Sequence, residues 1–287
     1  MPDSTHTLSS ETPSHLPEQT ETSLVPTRVL RHLYSSILRY YTLAQHLSYP
    51  AASRWQIAEI TAATCARKHD QLVGAGEAAR LACGESLVEC VRHPRHDEPN
   101  RSAELALQRS AVATDLRVEQ IATIKAVTSK LRAEDSLVFA LMGNHFENES
   151  FRRALQICGP SRLPVLFFVE TKIDLSASKK ANHKSEALRS IYAEFGVPVM
   201  TTDIHDPIGL YRVTTEAIHN ARFGRGATVI ETAQVNASGR KMRLGSLESP
   251  LEFVRSYMEA RDLWNEDWAM QQRQQAIAEL DSAHAMV

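Results

Sequence analysis

Residues 163–172 read Leu-Pro-Val-Leu-Phe-Phe-Val-Glu-Thr-Lys, and the fold is decided there. The run Pro164–Val169 is apolar without interruption, and the chain then turns polar at Glu170. A strand with one wet face alternates apolar and polar residues, whereas a strand apolar throughout is covered on both faces, as in a parallel sheet between helices. Outward from it, Ser136–Met142 (SLVFALM), Val197–Thr201 and Ala227–Ile230 are further short runs of the same kind. Helical periodicity fills the gaps at Glu149–Cys158, Lys184–Phe195 and Pro207–Phe223. Strands that alternate with helices in this way specify a doubly wound α/β unit with a parallel sheet.

The flanks are helical. Leu30, Leu33, Tyr34, Ile37, Tyr41 and Ala44 recur at three- and four-residue steps until Pro50, and Trp55–Ala66 continues the layer. A long helical stretch is expected from roughly Ala103 to Leu131, after a surface loop at 93–101. Asp206-Pro207 places a capping side chain before a proline at the first helical position. Ser249-Pro250-Leu251-Glu252 is a capping box, and Asn265-Glu266-Asp267 opens a last helix. Residues 1–26 hold ten Ser/Thr, four Pro, four acidic residues and no Lys or Arg, the composition of a disordered tail. The chain thus divides into that tail and one domain over 27–287. Within the domain 27–131 is mainly helical, 134–233 is the parallel-sheet core, and 249–287 is a C-terminal helical pair.

Composition removes several function classes. Lys+Arg at 32 against Asp+Glu at 34 leaves a net charge of −2, without the basic footprint of a nucleic-acid partner. No apolar run reaches the roughly 18 residues of a membrane span. Cys65, Cys83, Cys90 and Cys158 form no C-x-x-C pair, so they read as reduced thiols packed as small hydrophobes. His93 and His96 have no second ligand pair and read as loop histidines. The acidic tail has neither the basic start nor the apolar centre of a secretory signal, and a cytoplasmic protein is expected.

Ligands in a doubly wound sheet bind beyond the carboxyl ends of the strands. Gly74-Ala75-Gly76-Glu77-Ala78-Ala79 fits the G-x-G-x-x-A dinucleotide pattern, but Ala66–Val73 before it is charged and is not expected to be a strand. Thr171-Lys172-Ile173-Asp174 is similar to the guanine-reading loop of GTPases. That reading fails, because no Gly-Lys dipeptide occurs to build a phosphate loop. Gly143-Asn144-His145 closes the strand 136–142, and Glu170-Thr171-Lys172 closes the next, so two strand-end loops stand side by side.

Around these two loops the chain resembles the alpha subunit of thiamine-diphosphate-dependent 2-oxo acid dehydrogenases, the decarboxylating component of the pyruvate, branched-chain and acetoin complexes. That family pattern is a Gly-Asp-Gly turn followed about 25 residues later by Asn-Asn at the end of an L-P-V-x-F-V-x-E-N-N strand. Leu163–Lys172 is similar to that strand. Tyr192-Ala193-Glu194-Phe195-Gly196-Val197-Pro198 resembles A-x-x-Y-G-I-P, Asp203–Ile208 resembles a D-G-N-D turn, and Gly226–Glu231 resembles G-P-T-L-I-E. Ser249–Phe253 with Leu263–Glu266 is similar to the C-terminal helix pair. The likeness runs in register over about 116–287.

The resemblance implies oxidative decarboxylation of a 2-oxo acid with acyl transfer to lipoamide, thiamine diphosphate as cofactor, a beta subunit in a heterotetramer, and a lipoyl acyltransferase core as partner. It places the cofactor at Gly143, Asn144, Thr171, Lys172 and Arg240, and assigns no catalytic residue in this chain. At those positions the chain departs from the family. Asn144 stands for the magnesium-binding Asp, His145 for the second Gly, and Thr171-Lys172 for Asn-Asn. Magnesium takes hard, preferably anionic oxygens, and lysine offers no acceptor, so magnesium is not expected to bind. Past Glu231, Val235 and Asn236 replace the family's Tyr and Arg, and Arg240-Lys241 replace His-Ser. Residues that keep the sheet survive while those that handle cofactor are changed, the pattern of a family member that has kept its fold and shed its chemistry. Two alternatives follow: a non-catalytic relative acting in assembly or partner binding, or an α/β protein holding another anionic ligand through Lys172 and Arg240.

Overall fold

The computed structural model describes residues 25–46, 55–92, 116–143, 148–174, 183–236 and 250–284. In chain order the elements are α1 (Thr27–His46), α2 (Trp55–Cys65), β1 (Gln71–Val73), α3 (Glu77–Ala82), α4 (Leu87–Arg92), α5 (Val118–Leu131), β2 (Val138–Gly143), α6 (Asn148–Cys158), β3 (Val165–Asp174), α7 (His183–Glu194), β4 (Val199–Asp203), α8 (Pro207–Arg222), β5 (Thr228–Asn236), α9 (Pro250–Glu259) and α10 (Glu266–His284). The five strands form one parallel sheet in the order β1-β2-β3-β5-β4. The α/β expectation holds, and so do the four strands and the three intervening helices read from the sequence.

Why the strands are apolar on both faces is visible in how their residues divide. Phe139, Leu141, Leu166, Phe168 and Ile230 enter one core, shared with α1–α4 and α8–α10. Val138, Ala140, Met142, Val165, Phe167, Val169 and Val229 enter the other, shared with α5, α6 and α7. Alternate residues of one strand point to opposite faces, so each run has to be apolar twice over. Two of the helix signals held as well: Asp206 accepts from the backbone N–H of Ile208 and Gly209 at 3.0 and 2.7 Å, and Asn265 accepts from Trp268 N–H at 2.7 Å, while Ser249 of the expected capping box lies outside the described residues.

Two expectations are corrected. The first is that Gly74–Ala79 does follow a strand: Gln71–Val73 pairs with Val138–Ala140 at the edge of the sheet, and α3 opens after Gly76. Its polarity is that of an edge strand, with Gln71 and Leu72 only half-buried. The second is that α5 begins at Val118 with Arg117 as its N-cap, so the helix is shorter at its start than expected. The loop at 93–101, residues 103–115 and the tail to residue 24 lie outside the described residues.

The amino end of the sheet is closed by charge pairing. Arg222, from the last turn of α8, reaches Asp70, whose side chain is fully buried, at 2.7 Å and the exposed Asp135 at 2.8 Å. Asp70 also accepts from Leu137 N–H at 2.9 Å, tying the loop before β1 to the start of the β2 segment.

Candidate functional site

The carboxyl edge of the sheet places the ends of β1, β2 and β3 next to one another, each with its own kind of turn. β1 runs into Gly74, whose φ of +79° and surroundings both require glycine. A Cβ there would stand 2.4 Å from the Leu141 carbonyl oxygen and 3.0 Å from Val118 Cγ2. Gly76 then precedes α3, and its N–H donates to Glu59 Oε2 at 3.2 Å. A Cβ on Gly76 would stand 2.9 Å from that same oxygen. Glu59 belongs to α2 and is 3% exposed. The position where an external anion would meet the turn is thus filled by the protein's own carboxylate.

β2 ends differently. Gly143 pairs with Val169 after a register shift at Leu141/Gly143 and has φ +58°. A Cβ on Gly143 would lie 3.5 Å from the Trp55 ring, an ordinary contact, so the indole lies over this turn. Asn144, the next residue, is outside the described residues, and α6 begins at Asn148. β3 extends past the end of β2: Thr171 pairs with Ala233 and Lys172 with Gln234 of β5. Thr171 is 8% exposed, and its hydroxyl has no hydrogen-bond partner. The Lys172 side chain and all of Arg240 lie outside what is described. Of the five positions read from the sequence, Gly143, Thr171 and the Lys172 backbone are brought to one edge of the sheet.

Sequence reasoning missed four residues at this edge: Trp55, Glu59, Glu119 and Ser150. Glu59 left a signal, since a lone acid inside WQIAEITAATC, a helix buried from Gln56 to Ala63, needs an interior partner. Glu119 in α5 and Ser150 in α6 are 1% and 9% exposed, and Glu119 Oε1 and Ser150 Oγ lack partners. No motif marks either.

Further along the edge the polar residues serve the fold. Asp203 accepts from His205 N–H at 2.9 Å. Glu231, fully buried on β5, pairs with Arg189 of α7 at 3.1 Å and accepts from Thr201 Oγ1 at 3.1 Å. Burial, together with the nearby Glu231 carboxylate, pushes the Tyr192 phenol well above its usual range. The thiols are likewise held protonated: burial pushes Cys65 up to about 12, and Cys90 and Cys158 to about 11.

A diphosphate held through magnesium requires anionic or carbonyl oxygens converging on the ion. The described residues contain no group of three or more His, Cys, Asp or Glu able to hold a metal. The strand ends carry a glycine under an indole and a threonine, and the sequence adds an amide at 144 and a cation at 172. This donor set does not fit a magnesium–diphosphate pair. No described helix is long and apolar enough to cross a membrane.

Comparison with known proteins places this architecture. Residues 89–243 match the family described as dehydrogenase E1 component. The pyruvate dehydrogenase E1 component subunit alpha of Staphylococcus epidermidis is 24% identical over 170 residues, covering 54% of this chain and 46% of that protein. The 2-oxoisovalerate dehydrogenase subunit alpha of Bacillus subtilis is 28% identical over 109 residues, 37% of this chain and 33% of that protein. The pyruvate dehydrogenase E1 component subunit alpha of Bacillus cereus is 25% identical over 183 residues, 55% and 49% respectively. The chain spans about half the length, or less, of the curated relatives it matches.

Proposed function

The chain belongs to the dehydrogenase E1 component family, and from that premise we propose that it is an alpha-type subunit that keeps the family fold without holding the magnesium–thiamine diphosphate pair. Its role is then assembly: it presents the alpha-type surface to a beta-type subunit, and through it to an acyltransferase core, without itself decarboxylating a 2-oxo acid. The observation that carries this reading is the donor set at the ends of β2 and β3. Both cores and the full strand register are intact, whereas Gly143 sits under the Trp55 ring and Thr171 offers a lone hydroxyl where the family places magnesium ligands. A fold preserved beside a replaced ligand set is what selection for shape alone leaves. In the relatives the thiamine ring supplies the carbanion chemistry, and no step through it is derived for this chain.

Calorimetric titration of the full chain with thiamine diphosphate, with and without magnesium, tests the proposal. Heats unchanged by the metal are expected, and magnesium-dependent binding at micromolar affinity would overturn it.

A further inference from the structure

In a parallel sheet the strand-to-helix turns lie at the carboxyl edge and the helix-to-strand turns at the opposite, amino end. Four of these amino-end turns carry exposed cations: Arg67 and Lys68 between α2 and β1, Arg132 after Lys130 at the end of α5, Arg162 between α6 and β3, and Arg225 between α8 and β5. The turns touch one another. Lys130 Nζ donates to the Ser161 carbonyl oxygen, and a Cβ on Gly226 would stand 2.8 Å from Arg162 Cα. Asp135 pairs with Arg67 at 3.9 Å and with Arg222 at 2.8 Å. Two large apolar side chains are exposed in the same turns, Leu131 at 83% and Phe223 at 71%.

Those six exposed cations face two exposed acids, Glu134 and Asp135, while Arg222 is balanced by Asp70. Among the described residues the amino end therefore holds a surplus of four positive charges, on a chain whose net charge is −2. The helix dipole accounts for part of this: Lys130 and Arg222 stand in the last turns of α5 and α8, where a cation meets the carbonyl ends. Arg67, Lys68, Arg162 and Arg225 lie outside any helix. Lys68 and Arg162 make no ion pair among the described residues, and the Arg67–Asp135 pair is long and exposed on both sides, worth little in water. The complement to this surface is in the same chain. Residues 1–24 contain Asp3, Glu11, Glu18 and Glu21 and no Lys or Arg, together with Leu8, Leu16 and Leu24. Their acids equal the surplus in number, and their leucines suit Leu131 and Phe223. The segment joins the fold at Val25, which is fully buried. A chain of that length spans up to about 80 Å when extended, and a domain of this size has a radius of gyration of about 18 Å. The amino end is within reach. Attachment gives the segment a local concentration on the order of millimolar, at which weak and screened charge pairs suffice.

We infer that the amino end of the sheet is a docking surface for this chain's own acidic segment, residues 1–24, held by charge on Lys68, Lys130, Arg162 and Arg225 and by apolar contact at Leu131 and Phe223. The inference goes beyond the assembly role and does not rest on it, because this surface is at the end of the sheet opposite the strand ends that set the chain apart from its family.

The test is zero-length carbodiimide cross-linking of the full chain, mapped by mass spectrometry, because this reagent joins a carboxylate only to an amine in contact with it. At low salt Glu11, Glu18 and Glu21 are expected to link to Lys68 and Lys130 in preference to the chain's other lysines. In 0.5 M NaCl, which screens exposed pairs, those links should fall by about fivefold or more. Arg162→Glu combined with Arg225→Glu, two exposed turn positions, should lower them at low salt as well. An equal mixture of isotopically light and heavy chains should give these links within one chain. Links spread evenly over all lysines, or links to Lys68 and Lys130 that salt and charge reversal leave unchanged, would overturn the inference. Links between light and heavy chains would assign the surface to the segment of a second copy. Sedimentation with phosphatidylserine vesicles in the absence of such links would assign it to a membrane. Either result overturns the inference.

Discussion

Two strand-to-helix turns lie beside each other at the carboxyl edge, and they resolve the same problem in opposite ways. The β1–α3 turn looks like a dinucleotide fingerprint on paper, yet its N–H donor is taken by Glu59 and its glycines are wedged against Leu141, Val118 and the Glu59 carboxylate. After β2 the sequence has lost nearly every letter of the family motif, yet the Ser150 hydroxyl of α6 and the Thr171 hydroxyl of β3 are buried without a hydrogen-bond partner. A motif string is therefore a poor guide to an open site. What decides is whether the protein's own side chains have already filled the donors that the turn exposes.

Substitutions at the two turns sharpen or break this contrast, and the largest effect belongs to the sealed one. Gly74→Ala combines a left-handed backbone with a Cβ 2.4 Å from the Leu141 carbonyl, and should cost at least about 3 kcal/mol in denaturant unfolding. Glu59→Ala leaves the Gly76 N–H without its acceptor and opens a void inside α2, an expected loss of about 2 kcal/mol by the same measurement. Gly143→Ala meets only the flat of Trp55 at 3.5 Å, so the left-handed φ alone should cost about 1 kcal/mol. Should Gly143→Ala prove as damaging as Gly74→Ala, the second turn is not open and the contrast fails. Thr171→Val is the smallest: removing an unpaired hydroxyl at constant volume should leave stability within about 1 kcal/mol of wild type, on the stabilising side. A loss well beyond that would mean the hydroxyl has a partner in solution.

The same contrast explains what the sequence discloses. The central strands and their helices were legible because a doubly covered strand must be apolar at every position, a signal that Phe139, Phe167 and Val229 all carry. β1 was not, because an edge strand needs one covered face only, and Gln71 at its start looks like the charged loop before it. Gly143 and Thr171 were legible as strand ends by position. Ser150 and Glu119 were not, because a hydroxyl or carboxylate becomes informative only once its neighbours, and their failure to bond it, are known. Trp55 reaches Gly143 from 88 residues away in the chain, a distance no local pattern spans.

The proposed assembly role requires that the donor set at the ends of β2 and β3 fail to hold the family's metal. The direct measurement is magnesium dependence of thiamine diphosphate binding, by calorimetry, in the wild type and in a variant with the family's residues restored, Asn144→Asp with Thr171→Asn and Lys172→Asn. The wild type should give the same isotherm with magnesium as with EDTA, and the restored variant should bind more tightly when magnesium is present. A wild-type isotherm that steepens to micromolar affinity on adding magnesium would contradict the account, because the residues present would then hold the pair after all.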